Sequence, residues 1–261
     1  VKPNKEVEIT APIVTGINNY KQKTGDDAWN PTFAKKATYS EDKTFVAQYD
    51  FTKDVVPQGP GEDKPVVPKD YVKVQFKQGS NGTIDQNQTT IYWVKPKVEV
   101  DLTDKAPEVK ADPEYKHTGW DKALKAIFTT ATDITAQYKK KVVPGPDQPN
   151  VPGTTNPDNE YVKVDFVAET HGKIKDGETK EYWVLKNEIV ELKTPAVEPN
   201  ENYAFEKWNP AVQTSYNENK THKAVFKYHG DNVVPQPGDT KPDVPKEFVE
   251  VVFDKGANGE F

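Results

Sequence analysis

Residues 71–95 read YVKVQFKQGSNGTIDQNQTTIYWVK, and they decide the fold class. Val72, Val74 and Phe76 alternate with Lys73 and Gln75, the period of a strand with one face covered and one face wet. Ser80-Asn81-Gly82 follows, and Asn-Gly accepts the positive φ of a tight hairpin. The second strand is TTIYWVK, 89–95, where alternation sends Tyr92 and Trp93 to opposite faces.

The hairpin returns along the chain. YVKVDF at Tyr161 and FVEVVF at Phe248 repeat the opening strand, 90 and 87 residues further on. Tyr182-Trp183-Val184 repeats Tyr92-Trp93-Val94. A second Trp recurs as Trp29, Trp120 and Trp208, after Tyr20, Tyr115 and Tyr203. The closing strands match at Tyr49 (VAQY), Tyr138 (TAQY) and Tyr228 (VFKY), and VVP then starts at Val55, Val142 and Val233. A fixed period near 90 is the signature of tandem supersecondary units. The Tyr-to-Trp gap is five residues in two units but nine in the first, a four-residue insertion around Gly25-Asp26-Asp27.

The expected organisation follows from the phase. Residues 1–50 are a truncated repeat, 71–139 and 161–230 are complete repeats, and 248–261 is the first strand of a further one. The Pro-rich stretches 51–70, 140–160 and 231–247 read as polyproline-like linkers, because Pro removes backbone donors and fixes φ. Fully extended, each would reach roughly 50–65 Å. Their apolar VVP is expected to dock on the preceding domain and shorten that reach. The 261 residues equal three periods of 90 less nine, so the chain reads as a window on a longer array. The fold class expected is mainly β, or small α+β with one short helix, as four- or five-stranded units of about 70 residues.

Composition excludes several chemistries. There are no Cys and no Met, and all 35 basic residues are Lys against 41 acidic ones. Without Cys there is no disulfide scaffold, thiolate zinc site or cysteine nucleophile. A net charge of -6 without Arg argues against nucleic-acid partners. No apolar run approaches the length of a membrane-spanning helix, so no membrane insertion is expected here. Hydrophobic residues are only 34% while aromatics hold at 11%, so the cores must be small and aromatic.

No P-loop, HExxH or EF-hand spacing is present, and no His position recurs between units. His222 and His229 are expected in solvent. No catalytic residue, cofactor or metal is therefore expected, and the segment reads as non-enzymatic. A Lys–Asn isopeptide crosslink would need both residues beside a buried acid, and no such trio recurs. The candidate ligand contacts are the strand-two aromatics Tyr92 and Tyr182, provided that their rings reach the surface.

The run YVKVQFKQGSNGTIDQNQTTIYWVKP, with the YKHTGW pair and ITAQYKK, resembles tandem repeats of Gram-positive cell-wall surface proteins. The resemblance is to the internalin B-type and Listeria–Bacteroides repeat group. It implies β-grasp-like repeats placed between a distal functional module and a cell-wall anchor. It further implies an extracellular, cell-wall-anchored stalk or spacer of a secreted virulence-type surface protein. The alternative is an adhesin whose repeats themselves bind a host extracellular-matrix protein or glycan. Because the ends are out of phase, head-to-tail self-association between copies is a third expectation. The long Pro-rich stretches depart from the family pattern and put tight stacking in doubt.

Overall fold

A computed structural model describes residues 1–145, 160–236, 238 and 240–260. The chain is mainly β and divides into two compact units, 1–139 and 140–261. Among the described residues the only helices are single 3-10 turns, Gly25–Ala28 and Thr103–Lys105. The first of these is the four-residue insertion read from the sequence.

The repeat in the first unit is a five-stranded mixed sheet. Its spatial order is Tyr115–Trp120, Thr132–Lys140, Val72–Lys77, Ile91–Val94, Val55–Gln58. The opening strand Val72–Lys77 lies in the centre. It pairs antiparallel with Ile91–Val94 and parallel with the last strand, Ile134 opposite Phe76. A parallel pair cannot be joined by a tight turn. The intervening chain therefore crosses one face, tied down by short ribbons: Glu99–Asp101 with Lys125–Ile127, and Gly82–Ile84 with Val109–Ala111.

The repeat in the second unit has the same order: Tyr203–Asn209, Lys220–Tyr228, Tyr161–Val167, Glu181–Leu185, Val142–Gly145. The cores are the faces that alternation selects. In the first, Val74, Phe76, Tyr92 and Val94 meet Val100, Leu102, Phe128 and Ile134. In the second, Val162, Val164, Phe166, Tyr182 and Val184 meet Val190, Leu192 and Tyr216.

The first residues of two Pro-rich stretches are not free linkers, and their docking is the reverse of the expectation. Val55–Gln58 and Val142–Gly145 are edge strands of the sheet that follows them, paired with Ile91–Val94 and Glu181–Leu185. Val55 and Val142 pack on those cores. Proline is compatible with this place. The Lys95 N–H donates to the Asp54 carbonyl at 2.8 Å, so the bonded pairs fall at 54, 56 and 58. Pro57 then sits where a strand N–H would point away from the sheet, and no ladder bond is lost.

Residues 59–70 connect the edge strand to the opening strand, and Lys64 Nζ lies 3.8 Å from the centre of the Trp93 ring. The rest of the second stretch, 146–159, lies outside the described residues. In the third, Val233 is 82% exposed and unpaired in strand, because no counterpart of 91–94 follows it within residues 1–261. For the same reason 248–260 forms no strand, and Val249, Val251 and Phe253 are exposed.

The closing strands align differently from their best sequence match. His222 stands opposite Phe166, as Ile134 stands opposite Phe76. Phe226, not Tyr228, therefore takes the place of Tyr138. The turn glycines agree: a Cβ on Gly82 would strike the Tyr138 ring, and one on Gly172 the Phe226 ring. Only glycine permits that approach.

If Val55–Gln58 is a structural strand, replacing it with Gly-Ser repeats should destabilise the repeat by about 2–4 kcal/mol, from lost Val burial and edge pairing. Denaturant unfolding would check this; unchanged stability would restore the linker reading.

Candidate functional site

Tyr92 and Tyr182, the expected ligand contacts, are only 7% and 6% exposed. Each ring meets a phenylalanine edge to face, Phe76 at 6.0 Å and Phe166 at 6.1 Å. Each hydroxyl donates to a carbonyl, Lys105 at 2.9 Å and Lys193 at 2.7 Å. Burial pushes both phenols above their ordinary ionisation range. They are core pillars and offer no ring face to a ligand. Their neighbour Trp93 lies on the opposite face, its indole N–H donating to Gln58 Oε1 at 2.9 Å with Lys64 over the ring.

His222, expected in solvent, is fully buried. Its Nδ1 is 2.7 Å from the Pro210 carbonyl, and its Nε2 is 3.0 Å from the Tyr216 hydroxyl. That hydroxyl accepts from the Gln213 N–H at 3.0 Å. With Nδ1–H donating to Pro210 and Tyr216 donating to Nε2, all the groups are satisfied. Ile134 and Phe128 occupy the corresponding places in the other repeat, so a hydrogen-bonded pair replaces an apolar one. The substitution is invisible in the sequence until the register is known.

Among the described residues no group of three or more His, Asp or Glu could hold a metal. His222 is also the only buried polar or charged side chain among them. Among the described residues, therefore, no buried Lys, Asn and acid meet, as an isopeptide crosslink requires. A cleft of about 530 Å³ is lined by Ile9, Trp29, Phe33, Tyr39 and Phe45. Val7 opposite Ala37 repeats Val100 opposite Ala126, which places Ile9, Tyr39 and Phe45 at the core positions of Leu102, Phe128 and Ile134. The cleft is the uncovered core face of the partial repeat.

The recurring built feature is the joint between successive repeats. Only Thr52-Lys53-Asp54 separate Tyr49–Phe51 from Val55–Gln58, and only Lys141 separates Thr132–Lys140 from Val142–Gly145. At the first joint Phe51 meets Tyr20 at 5.0 Å and Tyr71 at 5.4 Å, both edge to face. The Tyr71 hydroxyl donates to the Lys53 carbonyl at 2.6 Å. At the third, Tyr228 meets Tyr203 at 5.2 Å and Phe248 at 5.3 Å in the same geometry. The Tyr71 and Phe248 N–H groups each close a turn, onto Pro68 and Pro245. Each such ring pair is worth about 0.5–1.5 kcal/mol beyond its buried area. At the second joint the aromatic position is Lys140, whose carbonyl accepts from the Tyr161 hydroxyl at 2.6 Å.

Comparison with protein-family models, with curated proteins and with solved structures gives no match to this chain.

Two measurements probe these contacts. Burial, then Asp54 and Asp70, push the Tyr71 hydroxyl up from 10.0 to about 12. The folded joint thus favours the protonated phenol, so its stabilisation is complete below pH 10 and declines as pH rises toward about 12. Tyr71→Phe should flatten the alkaline unfolding curve by one proton, read by stability against pH. Separately, Tyr216→Phe should cost about 1–3 kcal/mol by orphaning His222, while Tyr216→Phe with His222→Ile should recover most of it. Equal losses in the single and double variants would contradict the network.

Proposed function

We propose that this chain is a non-catalytic stalk region of a bacterial cell-surface protein, built from β-grasp-like tandem repeats that hold a distal module away from the cell wall. The observation that carries the reading is the path of the chain through each complete repeat. Val55 is level with Val72, because both stand opposite Val94. Thr135 stands opposite Lys77, and the last strand continues to Lys140. The chain therefore enters at one end of the sheet and leaves at the other, about 33 Å away at strand rise. Each period would convert directly into reach, and the one- to three-residue joints waste little of it.

The β-grasp-like reading rests on two central parallel strands, each flanked by an antiparallel partner. Between Ile91–Val94 and Tyr115–Trp120 the helical content is the single 3-10 turn Thr103–Lys105, a second departure from the family pattern beside the long Pro-rich stretches. Extracellular, cell-wall-anchored placement comes from the resemblance of the repeats. The burial of Tyr92 and Tyr182 weighs against adhesion through these rings.

Deleting one 90-residue period from the host protein should shorten the distance from wall to distal module and leave that module's own activity unchanged. Immuno-electron microscopy with the distal module labelled measures the distance. Saturable binding of residues 1–261 to a host matrix protein or glycan array would replace the spacer reading with the adhesive one.

A further inference from the structure

We propose that each complete repeat is a shear clamp, a module that resists pulling along the chain. The inference rests on the stalk reading, in which tension enters at one joint and leaves at the next. In the first unit the edge strand Val55–Gln58, the opening strand Val72–Lys77 and the last strand Thr132–Lys140 all point the same way. Tension pulls the start of the first backward and the end of the last forward. Both loaded strands must then slide along their neighbours rather than peel away.

Each loaded ladder is a block. Val55–Gln58 holds four positions against Ile91–Val94. Thr132–Thr135 holds four against Val74–Lys77. Sliding strains the bonds of a block together, whereas peeling breaks them one after another. The central block is also screened on its core face. Val74 and Ile134 are fully buried and Phe76 is 2% exposed, so water cannot readily replace a strained bond from that side.

The second unit repeats the design. Val142–Gly145 holds four positions against Glu181–Val184, and Lys220–Lys223 holds four against Val164–Val167. There Phe166 and His222 cover the centre of the parallel block.

Single-molecule force spectroscopy on the full 261-residue chain tests this, and the absence of Cys lets thiol handles be placed at will. Handles at the two chain ends load both repeats in shear. Handles at Ser80→Cys and Lys140→Cys load the parallel ladder from one end, so that it peels; both positions are exposed. Pulled by its ends, the chain should give two discrete unfolding events, each releasing about 26–30 nm of contour length. The peeling geometry should rupture at less than about half that force, since one bond rather than several bears the load at a time. Thermal unfolding of the double-cysteine variant should match the parent, which shows that the handles leave the fold intact.

Equal rupture forces in the two geometries, or smooth extension without events, would overturn the clamp. Equal forces would leave the stalk reading standing. Ligand binding by the repeats with the force ratio preserved would remove the stalk reading and keep the clamp.

Discussion

Val72–Lys77 pairs in parallel with Thr132–Thr135, and that ladder brings Ile134 into the core beside Val74 and Phe76. It brings together two segments more than fifty residues apart in the chain, so no local turn can supply it. Phe76 then meets Tyr92, Trp120 and Ile134, and the crossing chain closes over them. The partial repeat has no opening strand within residues 1–261. Residues 1–54 carry counterparts of the closing strands, yet these form only two- and three-residue pieces, and no residue before Tyr71 is buried. The same elements form long strands and a sealed core only where the central strand is present.

With eight residues to a core, each repeat has little hydrophobic reserve, and aromatic rings supply much of the area. The geometry recurs so closely that Phe76–Trp120 and Phe166–Trp208 differ by only a tenth of an ångström, at 4.8 and 4.9 Å. The edges are managed as well. On one side Val-Val-Pro pairs inward, and its proline presents no outward donor at that position. On the other, the strand Tyr203–Asn209 is bulged between Phe205 and Lys207 and carries Glu206 and Lys207 along its length. Such edges discourage lateral association while the ends of the sheet remain available for the next repeat.

Much of this was legible in the sequence: the period, the hairpin, the buried face of the opening strand and the aromatic character of the core. What could not be read has physical causes. A tandem repeat is cyclic, so its period is the same whether Val55-Val56-Pro57 closes one unit or opens the next, and only pairing decides. In the closing strand Phe226 and Tyr228 are both aromatic and share one face, so a two-residue slip leaves the pattern unchanged. That slip hid His222 as a core residue. Alternation separated Tyr92 from Trp93 correctly, but it does not say which face is inside.

Each complete repeat begins at its Val-Val-Pro strand and is closed by strands running from one end of the sheet to the other. Amide hydrogen exchange at Val56, Gln58 and Val143, combined with cross-strand nuclear Overhauser effects to Trp93 and Trp183, tests it most directly. Slow exchange is expected at all three amides, with contacts from Val56 to Trp93 and from Val143 to Trp183. Fast exchange at those amides, with no contact to either tryptophan, would return the Pro-rich stretches to free linkers and contradict the account.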